Sequence, residues 1–231
     1  MNSKPATGEE GELNPRKRVL IIDDHVIVRQ GLIHLINQEK DLIVCGEAED
    51  GRSGLSAIFS LKPDVVLADV SLPGMNGIEF IKNIKACHSG LPIVVLSMHD
   101  ESLYAERVLR AGALGYVTKK AASETIIAAL RKALKGELYT HGTFAAALLQ
   151  TLLSKQQPND GSPVSVLSDR ELEVFVMIGN GKSTHEIADA LNLSVKTVDS
   201  HRTHIKEKLG LHTATELVKR AVLYIENEMA G

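Results

Sequence analysis

The chain reads as two units of different class: an α/β unit with a parallel sheet over about residues 16–136, and an all-helical unit over about residues 164–231. Three observations predict this. Short, wholly apolar runs end in polar residues and alternate with stretches whose apolar residues recur at helical spacing, the pattern of buried parallel strands joined by crossover helices. A polar segment punctuated by Pro and Gly, Gln156-Gln157-Pro158-Asn159-Asp160-Gly161-Ser162-Pro163, then breaks the alternation and reads as a linker. Beyond it only helix signals remain.

Taken in order, residues 1–15 are acidic and Glu/Gly-rich and are expected to form a disordered leader, neither signal peptide nor anchor. Arg18-Val19-Leu20-Ile21-Ile22-Asp23-Asp24 is an apolar run ending in two acids. Val26 to Asn37 carries Val28, Leu32, Leu35 and Ile36 at helical spacing. Leu42 to Gly46 reads as a strand, and Gly51 to Leu61 as a helix with Leu55, Ile58 and Phe59 inward. Asp64-Val65-Val66-Leu67-Ala68-Asp69 is the most buried-looking strand and stops at a Leu72-Pro73-Gly74 turn. Helix Gly77 to Cys87, strand Pro92 to Ser97, helix Ser102 to Ala111 and strand Leu114 to Lys119 follow. A helix from Ser123, expected as its N-cap, to Leu134 completes the unit, with Ile126, Ile127, Leu130 and Leu134 facing in.

Residues 137–163 are linker with an alanine-rich helix expected at 143–154. After it, Ser168-Asp169-Arg170-Glu171 and Ser183-Thr184-His185-Glu186 are capping boxes, Ser194 caps a third helix to Leu209, and Thr213 starts a fourth. Gly181 and Gly210 stand where C-terminal caps are expected. Only a short loop, Leu191 to Ser194, joins the second and third of these helices, the spacing of a helix-turn-helix.

Bulk properties narrow the function. The 231 residues carry a net charge of −3, so no global basic field announces nucleic acid and any such binding depends on a local patch. Two cysteines, Cys45 and Cys87, exclude a disulfide framework; buried free thiols and a reducing cytoplasm are expected. Nothing approaches the length of a membrane span.

Right-handed crossovers put the strand ends on one edge of the sheet, where α/β proteins hold their ligands. Asp23, Asp24 and Asp69 meet there. Crowded carboxylates repel one another unless they share a cation, and all-oxygen ligands suit Mg²⁺. Ser97 supplies a hydroxyl and Lys119 a fixed positive charge. A nucleophilic carboxylate, a metal and donors for three equatorial oxygens are the parts of a phosphoryl-transfer site.

With Asp23-Asp24-His25, Asp69 before Leu72-Pro73-Gly74-Met75-Asn76-Gly77, Leu96-Ser97 and Tyr116-Val117-Thr118-Lys119 in place, residues 18–135 resemble the receiver domain of bacterial two-component response regulators, and the whole chain their NarL/FixJ subfamily. The resemblance implies a flavodoxin-like fold with strand order 2-1-3-4-5. It implies Asp69 as the phosphoacceptor, loaded from the phosphohistidine of a sensor histidine kinase. It assigns Mg²⁺ to Asp24, Asp69 and the backbone carbonyl of Ser71, with Asp23 nearby, and makes Ser97 and Tyr116 a switch pair in which Tyr116 moves inward.

Residues 167–226 resemble the LuxR-type DNA-binding domain, on Leu167 to Val174, Gly181, Glu186-Ile187-Ala188, Leu193-Ser194, Thr197-Val198, His201 and Lys208-Leu209-Gly210. The Ser194 to Leu209 helix is then expected in the major groove of double-stranded DNA. Its polar face carries Lys196, Thr197, Ser200, His201, Arg202, Thr203 and Lys206, with Ser183 and Thr184 on the preceding helix, while Val195, Val198, Ile205 and Leu209 pack inward. Asp199 and His185 stand where many members carry lysine, so DNA affinity is expected to depend on dimerisation. His201 and His204 lack a third ligand for zinc. The stripe Leu217, Val218, Ala221, Val222 and Ile225 is the expected dimerisation face of the phosphorylated chain.

The expectation is a cytoplasmic transcriptional regulator, switched by phosphorylation through dimerisation or release of its DNA-binding domain, that partners DNA and RNA polymerase and turns over no substrate. Two rivals have different signatures. An aspartyl-phosphate phosphatase needs a second acid two residues after the nucleophile, where this chain has Ser71. A regulator working through partner proteins instead of DNA is favoured only by Asp199.

Overall fold

The computed structural model describes residues 15–97, 101–139 and 164–229. Residues 1–14 of the leader expected over 1–15, the linker helix expected at 143–154 and the Pro/Gly segment lie outside them. The first unit consists of β1 (Lys17–Ile22), α1 (Val26–Asn37), β2 (Leu42–Ala48), α2 (Gly51–Leu61), β3 (Val65–Asp69), α3 (Gly77–Cys87), β4 (Ile93–Ser97), α4 (Glu101–Arg110), β5 (Gly115–Thr118) and α5 (Ser123–Leu134). The strands form one parallel sheet in the order β2-β1-β3-β4-β5.

Burial on both faces explains why these strands are apolar without alternation. Along β1, Val19 and Ile21 face a layer with Leu32, Ile36, Ile127 and Leu130 of α1 and α5. Leu20 and Ile22 face the opposite layer, with Ile58, Phe80, Ile81, Ile84 and Val108 of α2, α3 and α4. β3, in the middle of the sheet, is buried over its full length, and Asp69 is its last residue. A chain that must bury five such residues in line has one register available, and that register fixes where the carboxylate emerges.

Several local expectations need correction. Phe59 is 77% exposed, because α2 turns Ile58 and Leu55 to the sheet and the next position around the helix faces water. Ala122, not Ser123, is the N-cap of α5, and no side chain caps that helix. Cys87 is exposed and Cys45 only partly buried; burial does push the Cys45 thiol above its ordinary value. Tyr139 forms a parallel bridge to Gly115, its amide donating to Leu114 O at 2.7 Å, so the stretch from Lys135 returns to cover the β5 edge.

The second unit is four helices: α6 (Asp169–Gly179), α7 (Thr184–Leu191), α8 (Val195–Leu209) and α9 (Ala214–Met229). Ser168 and Ser183 make the two expected capping boxes, and Ser194 caps α8 by accepting from Thr197 N. Thr213 Oγ1 accepts from Glu216 N at 3.1 Å to start α9. Gly210 closes α8 with φ 65°, a left-handed cap that costs a glycine least. Leu172, Phe175, Ile187, Val198, Ile205, Leu217 and Ala221 form the core.

The two units are docked. Lys82 and Arg107 of the first hold Asp169 at 2.9 and 3.0 Å, and Arg107 also donates to the carbonyls of Leu167 and Val164.

Candidate functional site: an acidic pocket at the sheet edge and a helix-turn-helix

The strand ends deliver the pocket. β1 and β3 are neighbours in register, Ile22 beside Ala68, so the acids that follow them converge. Asp23 and Asp69 are buried, and donor atoms of Asp23, Asp24, His25 and Asp69 all lie within 4.8 Å of one another. Lys119, just beyond β5, reaches across with its Nζ 2.7 Å from Asp69 Oδ2 and 2.6 Å from Asp23 Oδ2. The strand pairing places it there, since Ser97 pairs with Thr118 and Lys119 N donates to Ser97 O at 2.7 Å.

Each oxygen has a defined task. Asp69 Oδ1 accepts from Ser71 N at 3.1 Å, and Asp23 Oδ1 from His25 N at 2.8 Å. His25 Nδ1 stands 2.5 Å from Asp24 Oδ1. Asp23 Oδ2, although close to Lys119, has no directed hydrogen bond among the described residues. Burial raises the Asp69 carboxyl above its usual range against the opposing pull of Lys119. Lys119 loses some basicity to burial but gains more from Asp69 and Asp23, so its ammonium is held charged. The donor set fits a hard divalent cation: clustered carboxylate oxygens, one of them buried and, among the described residues, paired with the Lys119 ammonium at 2.6 Å without a directed hydrogen bond.

Ser97 is fully buried at the end of β4. Tyr116 is buried too, at 2% exposure, one strand over on β5.

The loop from Asp69 to α3 is closed by Gly77 N donating to Val70 O at 3.0 Å. A Cβ on Gly77 would stand 2.4 Å from that oxygen, which explains the residue type. Asn76 ends the loop and does two things at once. Its Oδ1 caps α3 through Ile78 N, and its Nδ2 donates to Glu173 Oε2 of α6 at 3.0 Å.

Residues 19–131 match the family model described as the response regulator receiver domain, and residues 165–221 match that of the luxR family of bacterial regulatory proteins. The oxygen regulatory protein NreC of Staphylococcus aureus is 37% identical over 209 residues, which span 89% of this chain and 96% of that protein. The chain belongs to the NarL/FixJ family of response regulators.

Among solved response regulators, RcsB from Salmonella enterica serovar Typhimurium, bound to promoter P1flhDC in the presence of phosphomimetic BeF3−, is 29% identical with a TM-score of 0.61, covering 90% of this chain and 98% of that one. A LuxR-family response regulator from Aurantimonas sp. SI85-9A1 is 30% identical with a TM-score of 0.56, covering 61% of this response regulator and all of that chain.

In the LuxR-type domain of this response regulator, Lys196, Ser200 and Thr203 are exposed along α8, and Ser183 is exposed at the start of α7. Several hydroxyls there already serve local structure: Ser183 Oγ and Thr197 Oγ1 belong to helix caps, and Thr184 Oγ1 accepts from Arg202 at 3.3 Å. Lys206 and His201 are half-buried. Burial, then the nearby Arg170, lowers the His201 imidazole below its ordinary value.

The proposed dimerisation stripe divides. Leu217 and Ala221 are wholly buried against α6, and Ile225 nearly so, because α9 needs one face to close its own domain. Val222 is half-buried, leaving Val218 at 40% and Leu223 at 45% exposure.

Sequence reasoning passed over Arg29, Glu47, Arg107 and Glu173. Their signal was there in part: Arg29 interrupts the inward face of α1 that Leu32 and Ile36 continue, and Glu173 stands among the buried residues of α6.

Proposed function

We propose that this response regulator stores a phosphoryl group on Asp69 and reads it out as DNA binding by a pair of chains. The supporting observation is the buried bridge of Lys119 between Asp69 and Asp23, at the edge where β1, β3 and β5 end. Asp69 attacks the phosphorus of a sensor kinase phosphohistidine; the new P–O bond forms as the P–N bond breaks, and the imidazole leaves with the electron pair and takes up a proton. Lys119 and the Ser97 hydroxyl hold phosphoryl oxygens. Asp24, Asp69 and the Ser71 carbonyl, with Asp23 beside them, hold Mg²⁺, which when bound neutralises charge on the transferring group. Ser71 offers no second acid two residues after Asp69, so the acyl phosphate persists as a signal and the protein is not a turnover enzyme.

Docking of the two domains leaves Lys196, Ser200 and Thr203 uncovered. That supports control by pairing two α8 helices at the spacing of successive major grooves rather than by unmasking one of them. Among the described side chains of α9, Val218 and Leu223 are the exposed large apolar residues available for that pairing, and RNA polymerase is a further partner once the pair is on DNA.

The test is a gel shift on the protein's own promoter region with and without a small phosphodonor. Asp69→Asn is expected to fold and to lose the stimulation by phosphodonor; stimulation that survives in this variant rejects the mechanism.

A further inference from the structure

Side chains on a helix lean toward its N-terminus, so Arg29, one turn into α1, reaches back under the loop that joins β1 to α1. It is 8% exposed. A guanidinium cannot shed its proton, and burying one demands partners. Nη1 donates to the backbone carbonyl of Asp23 at 2.5 Å, and Nε to Glu47 Oε2 at 3.0 Å. Glu47 lies on β2 opposite Ile21 of β1, so the fork ties the exit of β1 to the neighbouring strand.

Asp23 is thereby held on every side but one. Its amide donates to Ala48 O at 3.1 Å, its carbonyl accepts from Arg29, and its Oδ1 accepts from His25 N. What is left is Oδ2, the buried oxygen without a directed hydrogen bond, next to Lys119 and Asp69.

We propose that Arg29 is a positioning residue for the acidic pocket: its two-armed contact with the Asp23 carbonyl and Glu47 fixes the β1–α1 loop so that Asp23 and Asp24 present their oxygens to Mg²⁺. The proposal rests on the reading of the pocket as a Mg²⁺ site. Arg29 touches neither the metal nor the phosphoryl group. Glu47 holds the second arm of the guanidinium.

Charge and position predict opposite signs, which makes the idea testable. If Arg29 mattered only as a nearby positive charge, removing it would tighten binding of a cation. If it positions the loop, removing it weakens binding, as loss of outer-shell partners does at other metal sites by roughly 10- to 100-fold.

The experiment is Mg²⁺ titration of the full chain by calorimetry, for the parent, Arg29→Met and Arg29→Lys, with the thermal midpoint of each recorded without Mg²⁺. Lysine keeps the charge but can serve only one of the two partners. We expect Mg²⁺ affinity to fall in the order parent, Arg29→Lys, Arg29→Met, the last by about tenfold or more. Equal affinities, or tighter binding by Arg29→Met, overturn the positioning role. If Arg29→Met does not fold, Arg29→Lys decides alone: folded and weaker supports the role, folded and unchanged overturns it. A folded parent that binds no Mg²⁺ overturns the pocket reading itself, a failure distinct from that of the positioning role.

Discussion

Asn76 Nδ2 donates to Glu173 Oε2 at 3.0 Å, joining the end of the phosphoacceptor loop to the first helix of the DNA-binding domain. The same carboxylate oxygen accepts from Arg170 Nη1 at 2.7 Å, and Arg170 Nη2 donates to Leu191 O at 2.8 Å, where α7 enters the turn to α8. A continuous hydrogen-bonded path thus runs from the loop after Asp69 to the helix-turn-helix. Glu173 is buried, so a partner lost there is not replaced freely by water.

Asn76→Asp tests this contact cleanly. The carboxylate can still cap α3 through Ile78 N, but it faces Glu173 with an acceptor in place of a donor. An unsatisfied buried group costs about 1–3 kcal/mol, enough to shift docking toward separated domains. Small-angle scattering is expected to show a larger radius of gyration than the parent at equal thermal stability of the receiver. A scattering profile that superimposes on the parent's removes the contact from the docking interface.

Glu173 also gives a pH dependence with a defined sign. Burial raises its carboxyl above the ordinary 4.5, outweighing the pull of Arg170 and Asn76. The folded chain therefore binds this proton more tightly than the unfolded chain. The contribution is complete below 4.5 and is lost as pH rises through the raised folded value. As pH rises from 4.5 through that raised value, the thermal midpoint of the DNA-binding domain should fall more steeply in the parent than in Glu173→Gln. Parallel profiles in a calorimeter are the contrary result.

The α9 stripe separates core from surface by mutation. Leu217 is fully buried, so Leu217→Ala should destabilise the DNA-binding domain by about 2–5 kcal/mol in urea unfolding. Val218, at 40% exposure, should tolerate alanine to within about 0.5 kcal/mol. Val218→Glu should leave the fold intact and weaken only binding to a two-half-site operator. A stability loss at Val218 as large as that at Leu217 contradicts this division.

Gly77 is fixed by a close approach, not by a special backbone angle. With Val70 O 2.4 Å from the position of a Cβ, Gly77→Ala must displace the loop that closes over Asp69. A cost of about 1–3 kcal/mol is expected in denaturant unfolding of the receiver, as for other overpacked sites. A midpoint equal to the parent's shows that the loop yields.

Much of this protein was determined by the sequence alone. The apolar runs ending at Asp23, Asp69, Ser97 and Lys119 dictate a parallel sheet buried on both faces, and the sheet's handedness then brings those residues to one edge. Ser168, Ser183, Ser194 and Thr213 announce their helices, because capping is a local matter of backbone amides and a side chain three residues away. Tertiary structure decided what depends on which face meets what. It put Phe59 into solvent, took Leu217 and Ala221 for the core of their own domain, and drew Tyr139 back to the β5 edge. It also paired Arg29 with Asp23 and Asn76 with Glu173, contacts between residues 6 and 97 positions apart whose existence no local pattern encodes. Periodicity says that a side chain faces inward; only packing says which buried charge it finds there.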